Sequence, residues 1–300
     1  MKKKIQILMS TYNGEKYIKK QLESIIFQKN IAFDLLIRDD GSQDKTAEIC
    51  ETYNDFVTVY KGYNIGPAKS FYKLVELSGD FDFYAFSDQD DIWDKNKLEI
   101  ATKILKDCNP EKPCMYCSNY RLIDCNDEVL KVGIDKSKLL NSRYTALAQN
   151  IATGCTIVFN KKAKELFLSY KPKKIIMHDY WMYLICVFMG EVYYDSSPHI
   201  GYRQHNANVL GDKNSFCSKW TNRLNSLKHL SDHQRDVMSE EFLNGFEKKI
   251  LQEDEKKIKK VAFYRKSIIG RLKLFFDKDI YMLTFDRNFW FRIRILFGII

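Results

Sequence analysis

The sequence predicts an α/β fold, a mostly parallel sheet flanked by helices, with a helical and basic C-terminal tail. Three observations predict it. Strand-like and helix-like segments alternate through the first third of the chain, and polar, acid-rich turns fall directly after the strand-like runs. Charge is also unevenly placed: residues 1–212 carry 29 basic and 28 acidic side chains, whereas residues 213–300 carry 19 and 11. Regular alternation calls for right-handed βαβ units on a parallel sheet covered on both faces.

The elements follow in order. Residues 5–9 are a short apolar run, and Tyr17, Ile18, Leu22, Ile25 and Ile26 then recur at helical spacing. Residues 33–37 read as a second strand, with Ser42 or Asp44 capping a helix to about Tyr53. A third strand is expected over 56–60, and Pro67 suits the first turn of a helix through Leu77. Residues 81–86 read as a fourth strand, and Asp94 is placed to cap a helix through Leu105. Beyond 114 the pattern mixes strands (114–118, 156–160, 191–195, 199–202) with helices near 140–149, 161–169 and 179–189. No Gly/Ser/Pro-rich linker interrupts it, so residues 1–212 are read as one domain and 213–300 as a helical, basic, aromatic-rich region.

Composition supports a large core. The 300 residues are 45% hydrophobic and 14% aromatic, and Gly and Pro together number only 18, which argues against disorder. A chain this long does not need disulfide staples, so the eight cysteines are expected to be reduced and mostly buried. Cys114 and Cys117 form the single C-x-x-C, but no second pair follows at zinc-ribbon spacing, and their surroundings read as a buried strand. The lysines at 2–4 lead into a strand-length run rather than a signal peptide, and no apolar run reaches the roughly 20 residues that span a bilayer. The expected location is cytoplasmic, at the inner face of the membrane.

In open α/β sheets ligands bind beyond the carboxyl ends of the strands, so the chemistry should follow strands. Three turns do. The first is Ser10-Thr11-Tyr12-Asn13-Gly14, with hydroxyls, a stacking ring and a flexible turn. The second is Arg38-Asp39-Asp40-Gly41-Ser42, where an Asp at a strand end can accept from a nucleobase N–H, although taken alone the turn reads first as ordinary helix capping. The third is Ser87-Asp88-Gln89-Asp90-Asp91, three carboxylates in four residues. They repel one another unless a cation neutralises them, and a hard divalent ion fits such oxygens. An acidic turn that merely starts a helix is the plain alternative. Neither a G-x-G-x-x-G fingerprint nor a G-x-x-x-x-G-K-[ST] loop is present.

These residues resemble glycosyltransferase family 2, which has the GT-A fold, a Rossmann-like sheet flanked by helices. The matching pieces run in family order: S-T-Y-N-G at 10–14, D-D-G-S at 39–42, N-I-G at 64–66, S-D-Q-D-D-I-W at 87–93, A-T-G-C-T at 152–156, H-D-Y-W at 178–181 and Y-R-Q-H at 202–205. The wording is most similar to the bacterial rhamnosyltransferase branch. The resemblance implies an inverting, metal-dependent transferase using Mn²⁺ or Mg²⁺, with dTDP-L-rhamnose as donor and a glycan or lipid-linked oligosaccharide as acceptor. A UDP-hexose or UDP-N-acetylhexosamine donor is the near alternative. Thr11, Tyr12 and Asp39 would hold the base, and Asp88 the ribose or base side. Asp90 would bind the metal, with Asp88 and His205 as further candidates, while Arg203 would aid diphosphate binding. Asp91 would support the water shell of the metal. Asp179 would be the catalytic base, oriented by or packed against His178. Tyr180 and Trp181 would offer an acceptor-sugar platform or pack in the core. Gly154 allows close backbone approach.

Two rival classes are set against this one. A nucleotidyltransferase usually shows a Gly-rich phosphate turn after strand one, and S-T-Y-N-G is not one. Asp88, Asp90 and Asp179 together argue against an inactive binding module without excluding it. The tail interleaves cations with Phe, Trp and Ile over 261–276 and 288–300, which suits an anionic membrane surface or a helical annex. No nucleic-acid motif appears, and the first 212 residues are near neutral.

Overall fold

The structure, a computed structural model, describes residues 5–204 and 234–300. The first half follows the expected alternation: β1 (Ile5–Thr11), α1 (Ile18–Ile26), β2 (Phe33–Asp39), α2 (Thr46–Glu51), β3 (Val57–Lys61), α3 (Pro67–Leu77), β4 (Phe83–Ser87), β5 (Ile92–Trp93) and α4 (Lys97–Lys106). Next come β6 (Cys114–Ile123), β7 (Val129–Val132), β8 (Val158–Asn160), α5 (Lys161–Ser169), α6 (His178–Met189) and β9 (Glu191–Arg203). The sheet order is β3-β2-β1-β4-β8-β6-β9-β5, with β7 on β6. Strands β3, β2, β1 and β4 run parallel, as does the β6–β9 pair, whereas β8 is antiparallel to both its neighbours and β5 is antiparallel to β9. The sheet is therefore mixed, with its parallel half built from the first 87 residues.

Burial explains this. The strands β1, β2 and β4 are nearly continuous apolar runs, as expected of strands covered on both faces, and Ile5, Ile7, Met9, Leu35, Ile37 and Ala85 join the core with Ile18, Leu22 and Ile25 of α1. Gly66, at φ +81, lets Pro67 open α3. The Asn160 side chain accepts from the Ala163 N–H and caps α5.

Some expected elements differ. The helix expected near 140–149 is two 3-10 turns, Ser137–Asn141 and Arg143–Leu147, where Ser142 accepts from the Tyr144 N–H. Asp94 does not cap α4 with its side chain, because its carboxylate is held by Arg121. The two strands expected at 191–195 and 199–202 are one strand, β9, with register shifts against β6 near Ser118 and Asn119.

The chain packs as two compact units. One comprises residues up to Ser137 with Ala152–Lys171 and Met177–Arg203; the other comprises Lys138–Ile151, Pro172–Ile176 and the residues from Gln204 on. The second unit thus takes in Lys138–Ile151 and Pro172–Ile176 from within residues 1–212, as well as the stretch that begins at Gln204. Its described helices are α7 (Gln234–Phe246), α8 (Gln252–Ala262), α9 (Ile268–Phe275) and α10 (Phe285–Phe297). Met238, Phe242, Phe246, Ile258, Val261, Leu274, Phe291 and Ile295 are buried within it. The fully buried Asp254 pairs with Arg143 at 2.8 Å, which ties the 3-10 segment to α8. Arg292 donates to the carbonyls of Leu274, Phe275, Asp277 and Ile280. No described helix is long and apolar enough to cross a membrane.

Candidate active site

The ends of β1 and β2 are register partners, Thr11 opposite Asp39. This puts two of the turns side by side. The Asp39 carboxylate is buried and accepts three hydrogen bonds: from Thr11 Oγ1 at 3.1 Å, Ser42 N at 2.9 Å and Ser42 Oγ at 2.5 Å. An ionised carboxylate has about four acceptor positions, so one remains. Asp40 is spent differently: it pairs with Arg38 and accepts from the backbone N–H groups of Ile65 and Gly66, both at 2.9 Å. The N-I-G turn at 64–66 is thereby fixed to the D-D-G-S turn. Tyr12, by contrast, is exposed, with its ring free of the core.

The acidic turn leaves the carboxyl end of β4, next to β1. Gln89, which sequence reasoning passed over, staples it to the first turn: Oε1 accepts from Tyr12 N at 2.8 Å and Nε2 donates to Tyr12 O at 3.0 Å. A Cβ on Gly14 would lie 2.3 Å from Gln89 Oε1, so the glycine of S-T-Y-N-G makes room for this staple.

Asp88, Asp91 and Cys155 each offer one donor atom, and these lie within 4.8 Å of one another. Desolvation, then the charges of Asp90 and Asp179, push the Asp88 carboxyl up to about 7. Desolvation and the neighbouring Asp90 and Asp88 charges push Asp91 well up too. Asp91 is buried; one oxygen accepts from Arg203 N at 3.2 Å and the other, Oδ2, has no hydrogen-bond partner. Burial and these carboxylates push the Cys155 thiol far up, so it stays protonated. An orphaned buried carboxylate oxygen beside a second carboxylate fits a divalent cation with oxygen ligands. The geometry thus joins Asp88 to Asp91, where the sequence pointed to Asp88 and Asp90. Asp90 is half-buried and close enough for its charge to raise both neighbours.

Lys97 is a second residue missed from sequence. It opens α4, is fully buried, and sits 3.3 Å from the centroid of the Trp93 ring. Burial pushes its ammonium down to about 7, against the opposing charge of the nearby Asp91.

Asp179 is the second residue of α6, half-buried, with Oδ1 accepting from Tyr180 N at 2.6 Å. Desolvation pushes it up to about 6, against hydrogen bonds from the Tyr180 and Gly154 backbone. A Cβ on Gly154 would stand 3.0 Å from His178 Nε2 and 3.5 Å from Asp179 Cβ, so the glycine of A-T-G-C permits this approach. His178 stacks on Phe71 with centroids 3.8 Å apart and meets the Phe86 ring edge-on at 4.7 Å. Neither ring nitrogen has a hydrogen-bond partner, and burial pushes the imidazole down to about 3, so it is neutral. His178 therefore packs against its neighbours and anchors the helix start that carries Asp179.

One sequence expectation changes here, and a choice left open is decided. Arg203 is fully buried: Nε donates to Asp90 O at 2.8 Å, one terminal nitrogen to Asp124 O at 2.5 Å, and the other pairs with Asp127 at 2.6 Å. Its guanidinium also lies 4.6 Å from the Tyr17 ring centroid. A side chain so enclosed clamps the acidic turn in place and is not placed to meet a diphosphate. Tyr180 and Trp181 are both buried and pack in the core, so they form no exposed sugar platform. His205 lies outside the described residues.

A mixed sheet whose parallel strands end in these turns, with an acidic turn and a carboxylate at a helix start, suits a nucleotide-sugar transferase. Residues 6–167 match the profile of glycosyl transferase family 2, and the chain belongs to that family. It is 32% identical over 228 residues to the dTDP-rhamnosyl transferase RfbG of Shigella flexneri, covering 71% of this chain and 76% of that one. It is 28% identical over 183 residues to an Escherichia coli UDP-Glc:alpha-D-GlcNAc-diphosphoundecaprenol beta-1,3-glucosyltransferase, WfgD, covering 60% and 68%. Among solved structures it is similar to S. aureus TarS 1–349 in complex with UDP-GlcNAc, with TM-score 0.57, 18% identity and coverage of 90% and 83%. A mannosyltransferase of Pyrobaculum calidifontis in complex with GDP-Man and Mn²⁺ gives TM-score 0.54 at 12% identity, covering 89% and 71%. The fold is GT-A and the protein is a glycosyltransferase.

Proposed function

We propose that this enzyme transfers L-rhamnose from dTDP-L-rhamnose, with inversion, to a bacterial surface-polysaccharide precursor. The observation that carries the transfer chemistry is the convergence of Asp88, Asp91 and Asp179 at one end of the sheet, each with a raised pKa. The donor rests on the likeness to the Shigella rhamnosyl transferase. A UDP-hexose donor is the second reading, supported by the likeness to the Escherichia coli glucosyltransferase.

The residues divide the work. Asp39 uses its remaining acceptor position for a base N–H, with Thr11 fixing the carboxylate and Tyr12 presenting a ring to the base. Asp179 takes the acceptor hydroxyl proton as that oxygen attacks the anomeric carbon. A carboxylate near pH 6 in pKa is ionised at neutral pH yet basic enough to matter. One displacement with one base inverts the centre, unlike the paired carboxylates of glycoside hydrolysis. Asp88 and Asp91, with Asp90 beside them, would hold Mn²⁺ or Mg²⁺. Such an ion supplies Lewis-acid stabilisation of the departing diphosphate. Arg203 and Gln89 act by positioning the acidic turn. The catalytic machinery is assigned to residues 1–212.

The test is released nucleoside diphosphate from a panel of dTDP-L-rhamnose and UDP-sugars, with metal and with EDTA. Metal-dependent release from dTDP-L-rhamnose alone is expected. Selective release from a UDP-sugar replaces the donor, and binding of no nucleotide by calorimetry removes the reading. Because Asp179 must be ionised, kcat/KM should rise with pH to a plateau above about 6.

The C-terminal region is proposed to lie on an anionic membrane. Ile268, Ile269, Phe276, Phe285 and Phe297 are exposed alongside exposed Lys266, Lys273, Lys278 and Arg287. Apolar side chains beside cations suit the headgroup boundary. Sedimentation with anionic vesicles is expected, weakened in Phe276→Ser/Phe285→Ser; equal sedimentation with neutral vesicles overturns it.

A further inference from the structure

The C-x-x-C of the sequence is not where the thiols meet. Cys114 and Cys117 lie three residues apart on β6, and Cys114 instead meets Cys108, from the turn after α4. Cys108 Sγ, Cys114 Sγ and a Glu191 carboxylate oxygen lie within 4.8 Å of one another. Both thiols are buried, while Glu191 is half-buried and opens toward solvent.

The backbone fixes this cluster. Cys114 and Glu191 start β6 and β9 and are register partners in a parallel pair. Glu191 N donates to Pro113 O at 3.0 Å, and a Cβ on Gly190 would fall 1.8 Å from that oxygen, so only glycine allows the corner. Asn160 accepts from Cys114 N at 3.0 Å and donates to Lys112 O at 2.8 Å. The Tyr193 hydroxyl donates to Glu191 at 2.5 Å and sits beside Cys108, as an outer partner orients a metal-binding carboxylate. Lys112 lies 3.5 Å from Glu191 on long, half-exposed side chains, a weak and displaceable pair.

We propose that Cys108, Cys114 and Glu191 bind a thiophilic divalent cation of the zinc class. Two thiolates and one carboxylate, completed by water, make a tetrahedral set, and such a site brings two sulfurs to roughly 3.8 Å. The cluster needs to close by no more than about an ångström. The thiols lose their protons to solvent as the ion binds, so binding strengthens with pH. Burial, with Cys108 and Glu191 nearby, pushes the Cys114 thiol up to about 12, so that thiol keeps its proton until a cation displaces it. The site is separate from the acidic turn. Strands β4 and β6 run the same way across β8, so the start of β6 lies at the sheet end opposite the end of β4. Helix α6, about 18 Å long, separates Asp179 from Glu191.

The experiment uses the full chain, reduced, stripped of metal with EDTA and desalted. Co²⁺ is titrated while thiolate-to-cobalt charge-transfer absorption is followed, and Zn²⁺ then displaces it against a chromophoric chelator. One equivalent of thiolate-bound cobalt is expected, retained in Cys155→Ser, lost in Cys108→Ser and weakened at least tenfold in Glu191→Gln. Zn²⁺ should also raise the melting temperature of the parent by more than that of Cys108→Ser, whose acidic turn is unchanged. If Cys108→Ser does not fold, Glu191→Gln carries the comparison. No charge-transfer band, a band that survives Cys108→Ser or is unweakened in a folded Glu191→Gln, or one lost in Cys155→Ser overturns the proposal.

Discussion

The nucleotide turns and the acidic turn occupy neighbouring strand ends, yet they treat their carboxylates in opposite ways. Asp39 and Asp40 are both held by partners, Asp39 by Thr11 and Ser42 with one acceptor position left over, Asp40 by Arg38 and two backbone N–H groups. Asp88 and Asp91 face each other, with raised pKa values and an oxygen of Asp91 left without a partner. A satisfied carboxylate is rigid before any ligand arrives and serves recognition. An unsatisfied pair is costly until a cation or a proton neutralises it, and that cost is what a bound metal relieves. The difference predicts that damage to one side weakens binding, while damage to the other slows turnover.

The largest effect is expected from Asp179→Asn, which should lower turnover about a thousandfold while calorimetry shows unchanged donor binding. Lost binding instead would move Asp179 to the recognition side. Next, Asp88→Asn and Asp91→Asn should each cost about a hundredfold in turnover and abolish the response to Mn²⁺. The same contrast reaches stability. The folded Asp88 carboxyl titrates near 7 against about 3.9 unfolded, so the folded chain binds more protons across that window and loses stability as pH rises through it. Asp88→Asn should therefore gain stability over the parent between about pH 4 and pH 7, in EDTA, with the gain removed by metal and nucleoside diphosphate. Melting curves across pH read this directly. On the nucleotide side, Asp39→Asn should raise KM and Kd about tenfold with kcat nearly unchanged, since it removes hydrogen bonds to a charged acceptor. The smallest effect belongs to the staple between the two turns. Gln89→Ala removes two hydrogen bonds and should cost about 1–2 kcal/mol in urea unfolding, with a few-fold loss of activity.

Much of the site was legible in sequence because its parts sit in short, continuous turns. Asp39, Asp88 and Asp179 each end a strand, follow one or start a helix, and Gly14 and Gly154 mark close approaches that a Cβ would crowd. Arg203 was legible as a residue and misread as a role. Its distance in sequence from Asp90, Asp124 and Asp127 hides the clamp that buries it. Lys97 looked like an ordinary lysine at a helix start, where the usual environment is water; a fully buried ammonium against Trp93 leaves no periodic trace. The C-x-x-C drew attention to Cys117, but strand geometry turns successive side chains to opposite faces, and the partner of Cys114 came from the preceding turn.

The sequence by itself determined the parallel half of the sheet, the placing of polar turns at its strand ends, and the helical, basic character of the C-terminal region. Those features rest on local period, turn chemistry and composition, all of which act over a few residues. Tertiary structure alone decided the antiparallel insertion of β8, the packing of residues 138–151 and 172–176 with the C-terminal helices, and the meeting of Cys155 with Asp88 and Asp91. Such meetings depend on strand order and register between segments tens of residues apart. Many orders satisfy the same local pattern, and burial of the whole core selects among them.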